Sequence, residues 1–244
     1  MGMRNPKVLV YIGRLGLEYV RASKKELTIG SATRMITLMA SPLVREKAAV
    51  LAEGARNLGS PLTKSLATVG GNVCNASPAA DTATPLLALN AQVVLVSKRG
   101  ERVVPINKVF TGPGATVRKS NELVTEFRIP IEKAGGKFIK LERRKALSLS
   151  VVNVAVSASK NGGGELKEVR IALGAVAPTP VRAVHSEKLL IGAKLTDELI
   201  EEAAQEAVKD IKPISDVHGT KWYRTKVTPV LVARALRAAV EEAK

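Results

Sequence analysis

The feature that most constrains this chain is a glycine doublet, Gly70–Gly71, in the run Ala-Thr-Val-Gly-Gly-Asn. Glycine has no side chain and accepts a positive φ at little cost, so its backbone can approach a ligand and turn successive N–H groups into one concavity. Such a concavity suits phosphate oxygens. Thr68 and Asn72 flank the doublet with a hydroxyl and an amide. The pattern predicts a turn whose free main-chain amides bind a phosphate or diphosphate.

Two further polar side chains follow the doublet. Ser77, which precedes Pro78, can donate a hydrogen bond, and Asp81 can accept one from a sugar or ribityl hydroxyl. Phosphate donors followed by a polyol acceptor are typical of a nucleotide cofactor site. An ordinary tight turn and an ordinary Ser-Pro helix start explain the same residues without a ligand, with Asp81 as a carboxylate in the first helical turn. The residues alone leave both interpretations open.

The composition favours a globular chain with an aliphatic core. The 244 residues are 45% hydrophobic but only 3% aromatic, so Val, Leu, Ile and Ala must build that core. No apolar run approaches the length of a membrane-spanning helix, and no N-terminal segment resembles a cleaved secretion signal. We therefore expect a cytoplasmic protein that does not interact with a membrane.

The number and spacing of cysteine and histidine residues argue against a disulfide and against a metal site in this chain. Cys74 is the single cysteine, which excludes an intrachain disulfide and a cluster held by several thiolates of this chain. A small buried hydrophobe is the favoured interpretation of Cys74. The two histidines, His185 and His218, stand far apart and lack other ligands at metal-binding spacing. We expect no metal site, and any iron–sulfur centre that exchanges electrons with this chain must lie on another polypeptide.

The net charge of +16 requires an explanation. The composition disfavours nucleic-acid binding, because proteins that bind single strands offer aromatic stacking platforms and this chain has three Phe, three Tyr and one Trp. Its basic residues are also scattered rather than gathered in a tail or helix. Two alternatives remain open, which are docking to an acidic partner subunit and the charge-rich surface of a thermophile.

The hydrophobic periodicity predicts an α+β architecture. The first part has predicted strands at residues 8–12, 27–29, 92–97, 102–104 and 123–129, a helix that begins at Ser41–Pro42, and a helix at 78–90. Gly135–Gly136 marks a boundary, which divides the chain into domains 1–134 and 135–244. The second domain has predicted strands at 138–141, 151–157 and 169–176, a helix capped by Thr196, and a final helix at 227–243. The strand at 151–157 alternates Val with Asn, Ala and Ser, as a half-buried strand does.

Several of these runs together resemble the FAD-binding subunit of molybdenum hydroxylases, a family that includes the medium chain of aerobic carbon monoxide dehydrogenase and the flavin domain of xanthine dehydrogenase. Besides 67–72, Ser77–Pro78 and Asp81, the matching runs are 27–33, 122–124, 128–130, 140–144, 152–156, 174–183 and 223–224, in family order. The resemblance implies a PCMH-type FAD-binding domain at 1–134, with its N-terminal part missing. A small C-terminal domain at 135–244 would follow, with a three-stranded antiparallel sheet packed on helices.

The resemblance also implies an oxidoreductase flavoprotein whose FAD takes electrons from a small 2Fe–2S subunit, supplied by a large molybdopterin-containing subunit, and passes them to an acceptor. The implied diphosphate site comprises Thr68, Val69, Gly70, Gly71 and Asn72. The implied contacts to the phosphate–ribityl portion come from Ser77 and Asp81, and those to the isoalloxazine come from the backbone of Val124. Lys140 would lie near the polar edge of the ring, where a cation raises the reduction potential of the flavin.

One segment of the family pattern is missing. The family has two glycine-rich phosphate loops, and the first lies upstream of every run matched here, whereas residues 1–10 resemble the segment just after that loop. Either the start codon was assigned too late or the chain is a shortened paralogue. Two functional hypotheses follow, which are an FAD-binding electron-transfer subunit and a flavin-free structural subunit or degenerate paralogue.

Overall fold

The computed structural model describes residues 7–144 and 147–243. The first six residues of the predicted domain 1–134 and the last residue of the predicted domain 135–244 lie outside the described residues. The strands of the first part of the chain are β1 (Val20–Ala22), β2 (Glu26–Gly30), β3 (Gln92–Ser97), β4 (Gly100–Pro105), β5 (Phe110–Gly112), β6 (Ala115–Thr116) and β7 (Leu123–Pro130). Five of them form an antiparallel sheet in the order β1-β2-β7-β3-β4, and β5 and β6 form a separate two-stranded ribbon.

Six short helices lie between β2 and β3. They are α1 (Met35–Ala40), α2 (Pro42–Lys47), α3 (Ala49–Asn57), α4 (Pro61–Leu66), α5 (Val69–Asn75) and α6 (Ala83–Ala88). The predicted start at Ser41–Pro42 is confirmed, because Pro42 begins α2 and the Ser41 hydroxyl accepts a hydrogen bond from the Val44 amide. The helix is interrupted at Ala48, whose φ of −148° and ψ of 52° are not helical, and it resumes as α3.

The second part is an antiparallel four-stranded sheet in the order β11-β10-β9-β8, packed on helices. Its elements are β8 (Gly135–Glu142), β9 (Ser150–Lys160), β10 (Leu166–Gly174), β11 (Val181–Arg182), α7 (Val184–Leu190), α8 (Asp197–Glu206) and α9 (Lys221–Glu242). The mixed helix and sheet architecture is therefore as expected, and the three predicted strands gain a two-residue fourth strand, β11. Thr196 caps α8 as predicted, with its hydroxyl on the Leu199 amide.

Strand β9 is buried on both faces, so the prediction of a half-buried strand is wrong. Val152, Val154 and Val156 face the core that α9 covers. Ala155, on the opposite face of β9, belongs to the core of the first part, because α6 and α3 pack there. The two parts therefore share a packed seam, with β9 at its centre.

Three local predictions are also wrong. Residues 8–12 form no strand, because the described residues offer this segment no strand partner, and Leu9 and Tyr11 are exposed. The helix predicted at 78–90 is shortened to α6. The last helix begins at Lys221 instead of 227, because the Thr220 hydroxyl caps it by accepting from the Tyr223 amide.

Candidate functional site

The glycine doublet lies in the first turn of α5. The Thr68 hydroxyl accepts a hydrogen bond from the Gly71 amide at 3.1 Å, which is the N-cap arrangement that begins a helix. The segment before it crosses the end of β2, where Thr68 forms an isolated bridge with Arg34. The doublet therefore belongs to a short helix held against the turn after β2.

The predicted cradle of free amides is wrong. The Val69 amide donates to the Thr33 carbonyl at 3.0 Å, and the Gly70 amide donates to the Ser31 carbonyl at 2.8 Å. The Gly71 amide is held by Thr68, and the Asn72 amide donates to the Thr68 carbonyl at 2.9 Å. All four N–H groups are satisfied within the protein. Binding at this helix must therefore use side chains and the open surface of the doublet.

The two glycines have different structural roles. A Cβ on Gly70 would lie 2.7 Å from both the carbonyl oxygen and the Cβ of Ser31, so α5 can pack on this turn only with glycine there. Gly71 is exposed, and a Cβ on it would meet only the Thr68 hydroxyl, at 3.0 Å. Gly70 is therefore required for packing, and Gly71 leaves an open surface that a bulky group can approach.

A buried hydroxyl without a partner lies beside the doublet. Ser31 is buried, and its Oγ makes no hydrogen bond within the described part of the chain. The Ser31 amide donates to the Thr125 carbonyl at 2.9 Å, so this turn also contacts β7 next to Val124. An unsatisfied buried hydroxyl is costly and commonly marks a missing partner. The doublet, Ser31 and the Val124 segment therefore form one polar corner that can accept a ligand group.

Val124 lies at an irregularity in β7. Leu95 of β3 pairs with Val124 and the preceding Val94 pairs with Glu126, so Thr125 is an extra residue in the ladder. This bulge directs the Thr125 carbonyl to the Ser31 amide. Val124 itself is buried in the core of the first part, so its side chain is not available to a ligand.

A second group of predicted residues meets at the seam. The Lys140 ammonium lies 2.9 Å from Oδ2 of Asp81 and 3.3 Å from a carboxylate oxygen of Glu142. The Ser150 hydroxyl donates to Oδ1 of Asp81 at 2.9 Å. The structure thus brings together two predicted residues that are 59 positions apart, and it adds Ser150.

The polar chain continues from Ser150 across the seam. Asn153 donates to the Ser150 hydroxyl at 3.0 Å, and the Thr84 hydroxyl donates to Oδ1 of Asn153 at 2.7 Å. We call Lys140, Asp81, Ser150, Asn153 and Thr84 the seam chain. Sequence analysis missed the last three, although a polar residue at 153 within a valine-rich strand was a signal that could have indicated them.

Burial dominates the electrostatics of the seam chain. The Lys140 and Asp81 side chains are only 2% and 8% exposed. Desolvation raises the pKa of Asp81 above its usual range, although the Lys140 ammonium and the hydrogen bonds from Lys140 and Ser150 act in the opposite direction. Two buried charges in contact are stable only as a pair, so Lys140 is fixed at this position by Asp81.

Asp81 lies before α6, so its predicted position in the first turn of a helix is wrong. The Thr82 hydroxyl donates to Oδ1 of Asn72 at 2.5 Å, and the Thr82 amide donates to the same oxygen at 3.4 Å. These bonds hold the segment outside a helix until Ala83. Asn72 thereby joins α5 to Thr82, the residue after Asp81, and its amide nitrogen is left as its hydrogen-bond donor.

A cavity of about 370 Å³ lies next to the seam chain. Its walls include Ser77, Pro78, Ser150, His218 and Arg224, with mostly apolar groups between them. The predicted residue Ser77 thus lies at the cavity, and its hydroxyl accepts from the Ala79 amide at 3.3 Å. Arg224, previously only part of a matching run, is a buried wall residue.

The remaining expectations concern Cys74, metals and membranes. Cys74 is half-buried against the first core, and desolvation raises the pKa of its thiol. Within residues 7–144 and 147–243, no group of three or more His, Cys, Asp or Glu side chains could hold a metal ion. No helix in the same two ranges has the length and apolarity that crossing a membrane would require.

Comparison with known families accounts for most of the chain. Residues 1–132 match the family described as the FAD binding domain in molybdopterin dehydrogenase. Residues 137–239 match the CO dehydrogenase flavoprotein C-terminal domain. Both matches follow the order of the two parts of the structure.

Comparison with individual proteins agrees with the family matches. The chain is 34% identical to a glyceraldehyde dehydrogenase medium chain of Sulfolobus acidocaldarius, over 96% of this chain and 83% of the relative. It is 31% identical to a xanthine dehydrogenase FAD-binding subunit of Escherichia coli, over 91% of this chain and 77% of the relative. Both relatives are therefore matched over most of their length.

The fold is similar to that of a solved enzyme. A carbon monoxide dehydrogenase from Hydrogenophaga pseudoflava, in a form that lacks the Mo-pyranopterin moiety of the molybdenum cofactor, superposes with a TM-score of 0.90 and 32% identity. The alignment covers 93% of this chain and 79% of that chain. These matches identify FAD as the cofactor of the family and oxidoreductase complexes as its setting. The chain therefore belongs to the molybdenum hydroxylase family, as a medium, FAD-binding subunit.

Proposed function

We propose that this chain holds FAD and transfers electrons within a molybdenum hydroxylase complex, from iron–sulfur clusters on a partner chain to an acceptor. The flavin supplies the redox chemistry when bound, and the protein supplies position, charge and exclusion of water. The proposed partners are a small 2Fe–2S subunit and a large molybdopterin-containing subunit. The division into domains 1–134 and 135–244 and the cytoplasmic location stay predictions.

The observation that carries the proposal is the buried pair of Lys140 and Asp81 beside the cavity. We propose that Lys140 presents its charge to the polar edge of the flavin, while Asp81 and Ser77 contact the phosphate–ribityl portion. The backbone at Val124 would lie along the isoalloxazine. Asp81 fixes the Lys140 ammonium by a 2.9 Å contact before any ligand arrives, and such preorganisation favours binding.

The diphosphate is proposed to lie on the open surface of α5. Thr68, Val69, Gly70, Gly71 and Asn72 would form this surface, with the Thr68 hydroxyl and the Asn72 amide nitrogen as donors. The Thr68 hydroxyl accepts from Gly71 and so keeps its own hydrogen for a second partner. This arrangement replaces the free amides that the sequence predicted.

The alternative function is a flavin-free structural subunit or degenerate paralogue. It is favoured by one observation, which is that the amides of Val69, Gly70, Gly71 and Asn72 are already paired within the protein. A phosphate site without free main-chain donors must rely on fewer hydrogen bonds.

The two functions are separated by titrating the purified chain with FAD and measuring flavin fluorescence and thermal stability. If the chain binds one FAD molecule saturably, an FAD concentration of about 100 times Kd should stabilise the fold by about 2.7 kcal/mol. Gly71→Ala should weaken FAD binding about tenfold, a loss of about 1.4 kcal/mol, because its methyl group occupies the open surface. Without FAD, its stability should change by less than about 1 kcal/mol.

Two controls complete the test. Gly162→Ala makes the same change in the exposed turn between β9 and β10, where a Cβ would meet nothing within 4 Å, and it should leave FAD affinity unchanged. Gly70→Ala should lower the stability of the fold itself, because its Cβ would lie 2.7 Å from Ser31. Failure of the wild-type chain to bind FAD would favour the structural alternative, and unchanged affinity of Gly71→Ala would exclude the proposed diphosphate position.

A further inference from the structure

The hydrogen bonds of the seam chain all run in one direction. An ionised Asp81 can only accept, so the single hydrogen of the Ser150 hydroxyl is committed to Oδ1 of Asp81, at 2.9 Å. The Ser150 oxygen then accepts from Nδ2 of Asn153, which can only donate. Oδ1 of Asn153 can only accept, and its donor is the Thr84 hydroxyl, at 2.7 Å. The donors therefore follow one another from Thr84 to the carboxylate of Asp81.

The Lys140 end of the seam chain has hydrogen bonds of its own. The ammonium donates to Oδ2 of Asp81 at 2.9 Å and to the carbonyl of Asn57, the last residue of α3, at 3.0 Å. Glu142 lies further away, as an ion pair at 3.3 Å. The two carboxylate oxygens of Asp81 thus have separate donors, Ser150 and Lys140. A change in how Asp81 is held on one side is therefore passed to the ammonium on the other.

A glycine in β10 leaves space for the hydrogen bond at the start of the seam chain. Gly174 is paired with Asn153 across β9 and β10. A Cβ on Gly174 would collide with Oδ1 of Asn153 and would lie 2.6 Å from the Thr84 hydroxyl oxygen. Thr84 and Asn153 are both fully buried, so neither side chain can turn outwards to water instead. The packing of β10 on β9 therefore leaves room for this bond only because residue 174 has no side chain.

We propose that Thr84, Asn153 and Ser150 are positioning residues for the flavin site. They orient the Asp81 carboxylate, and Asp81 in turn holds the Lys140 ammonium where the flavin is proposed to meet it. This inference rests on the proposed function, because that function assigns Lys140 and Asp81 to the flavin. The competing explanation is that the buried network only stabilises the seam, as any satisfied polar network does.

The end of the seam chain furthest from Lys140 separates these two explanations. Thr84→Val keeps the shape of the side chain but leaves Oδ1 of Asn153 buried without its donor, which is costly. The Asn153 amide can then rotate and accept the Ser150 hydrogen, which withdraws that hydrogen from Asp81. Ser150→Ala removes the same hydrogen directly. If the chain is directed, both variants should change Asp81 in the same way.

The first measurement uses the flavin-free chain and follows the labelled Asp81 carboxyl carbon by NMR as pH changes. Burial raises the pKa of Asp81, and the hydrogen bonds from Lys140 and Ser150 act against burial. Lys140 and Glu142, the charged groups that act on Asp81 from β8, are unchanged in both variants, and β9 faces Asp81 with the neutral Ser150. We expect a higher pKa of Asp81 in Ser150→Ala and in Thr84→Val than in wild type.

The second measurement is the FAD dissociation constant, from flavin fluorescence. Ser150→Ala and Thr84→Val should each raise this constant about fivefold or more. The double variant should raise it no further than Ser150→Ala alone, because both changes withdraw the same hydrogen. Ser186→Ala is the matched control, since it removes an equally buried hydroxyl that donates to the Ala203 carbonyl at 2.6 Å, between α7 and α8. It should leave both the pKa of Asp81 and the FAD dissociation constant unchanged.

The outcomes separate this inference from the proposed function. An unchanged pKa of Asp81 in Thr84→Val, or additive effects of the two substitutions on FAD binding, would overturn the directed chain. An equal loss of FAD affinity in Ser186→Ala would show a general effect of stability and overturn it as well.

Two further results concern FAD itself. If wild type binds FAD and all variants keep its affinity, the proposed function stands and the positioning role is wrong. If wild type binds no FAD, the proposed function is refuted and the flavin role of the seam chain falls with it. A raised pKa of Asp81 in Ser150→Ala and Thr84→Val would even then uphold the directed chain of hydrogen bonds.

Discussion

At the scale of single residues, Asp216 shows how a carboxylate stabilises a loop. It accepts hydrogen bonds from the His218 amide at 2.8 Å and the Gly219 amide at 3.1 Å, and it contacts Arg224. Burial alone would raise the pKa of Asp216, but these three donors outweigh burial and hold the pKa below its usual range. The carboxylate therefore favours folding when it is ionised.

The first prediction concerns Asp216→Asn, which should destabilise the fold at neutral pH. A carboxyl group whose pKa is lower in the folded state contributes stability above its unfolded pKa of about 3.9, and that stability is lost as pH falls through the folded pKa. The difference in unfolding free energy between wild type and Asp216→Asn should therefore shrink as pH falls below about 4. Urea denaturation at several pH values measures it, and a difference that is constant with pH would contradict the assignment.

The second residue-scale prediction concerns the buried pair at the seam. Lys140→Met should destabilise the fold by about 3–5 kcal/mol at neutral pH, because Asp81 would stay buried without its cation. The double variant with Asp81→Asn removes both charges and should recover part of this loss. Denaturant midpoints of wild type, Lys140→Met and the double variant measure these changes. Equal midpoints for wild type and Lys140→Met would show that the pair contributes nothing to the free energy of unfolding.

This effect also has a pH signature. Burial raises the pKa of Asp81, so the protonated form favours folding, and that contribution is lost as pH rises through the folded pKa. The deficit of Lys140→Met should therefore grow as pH rises from about 4. A deficit that was larger in acid than at neutral pH would show that Asp81 is not the group left unpaired.

At the scale of elements, α3 protects the open edge of β8. Strand β8 lies at the end of its sheet, and Glu53 of α3 accepts from the Phe138 amide and from the Lys137 ammonium, each at 2.7 Å. An unpaired strand edge is a site of aggregation unless it is covered. Glu53 therefore satisfies the edge and ties the two parts of the chain together.

The third prediction is that Glu53→Ala destabilises the protein by about 1–3 kcal/mol, since the Phe138 amide loses a charge-assisted hydrogen bond. Glu53→Gln should have a smaller effect, because its amide oxygen can still accept. Glu46→Ala, at an exposed position of α2, is the control and should lie within about 0.5 kcal/mol of wild type. Thermal unfolding measures all three, and similar effects for Glu53→Ala and Glu46→Ala would exclude a role for this contact.

The elements that the sequence predicted are those specified by local patterns. Ser41–Pro42 and Thr196 carry their helix starts in adjacent residues, so both were predictable. The length of α6 was not, because it depends on the contact of Thr82 with Asn72, ten positions earlier. The burial of both faces of β9 was also hidden, since the second covering layer comes from α3 and α6.

The residues of the candidate site could be selected from the sequence, but most of their contacts could not be predicted. The glycine doublet and Asp81 could be selected from the sequence by residue type and order. The pairing of the Val69 and Gly70 amides could not, because their acceptors are the carbonyls of Thr33 and Ser31, in the turn after β2. The contact of Lys140 with Asp81 spans 59 positions and exists only because the two parts pack together.

At the scale of the whole molecule, the net charge of +16 should govern the kinetics of assembly. A field of one sign speeds the encounter with an oppositely charged partner, and salt screens it over a Debye length of about 10 Å at 0.1 M and about 3 Å at 1 M. The fourth prediction is that the association rate constant with the proposed iron–sulfur subunit falls steeply with added NaCl, while the dissociation rate constant changes little. Interferometry at several salt concentrations measures both, and a salt-independent association rate would rule out electrostatic steering.

The seam chain crosses between the two parts of the molecule more than once. Thr84 and Asp81 belong to the first part, and Asn153, Ser150 and Lys140 belong to the second. Severing the polypeptide near residue 134 would therefore leave each fragment with stranded polar groups that only the other fragment can satisfy. Neither half should persist as an autonomous module, and a recombination event that exchanged one half for a foreign counterpart would have to bring side chains that match the seam-chain residues of the half that was kept.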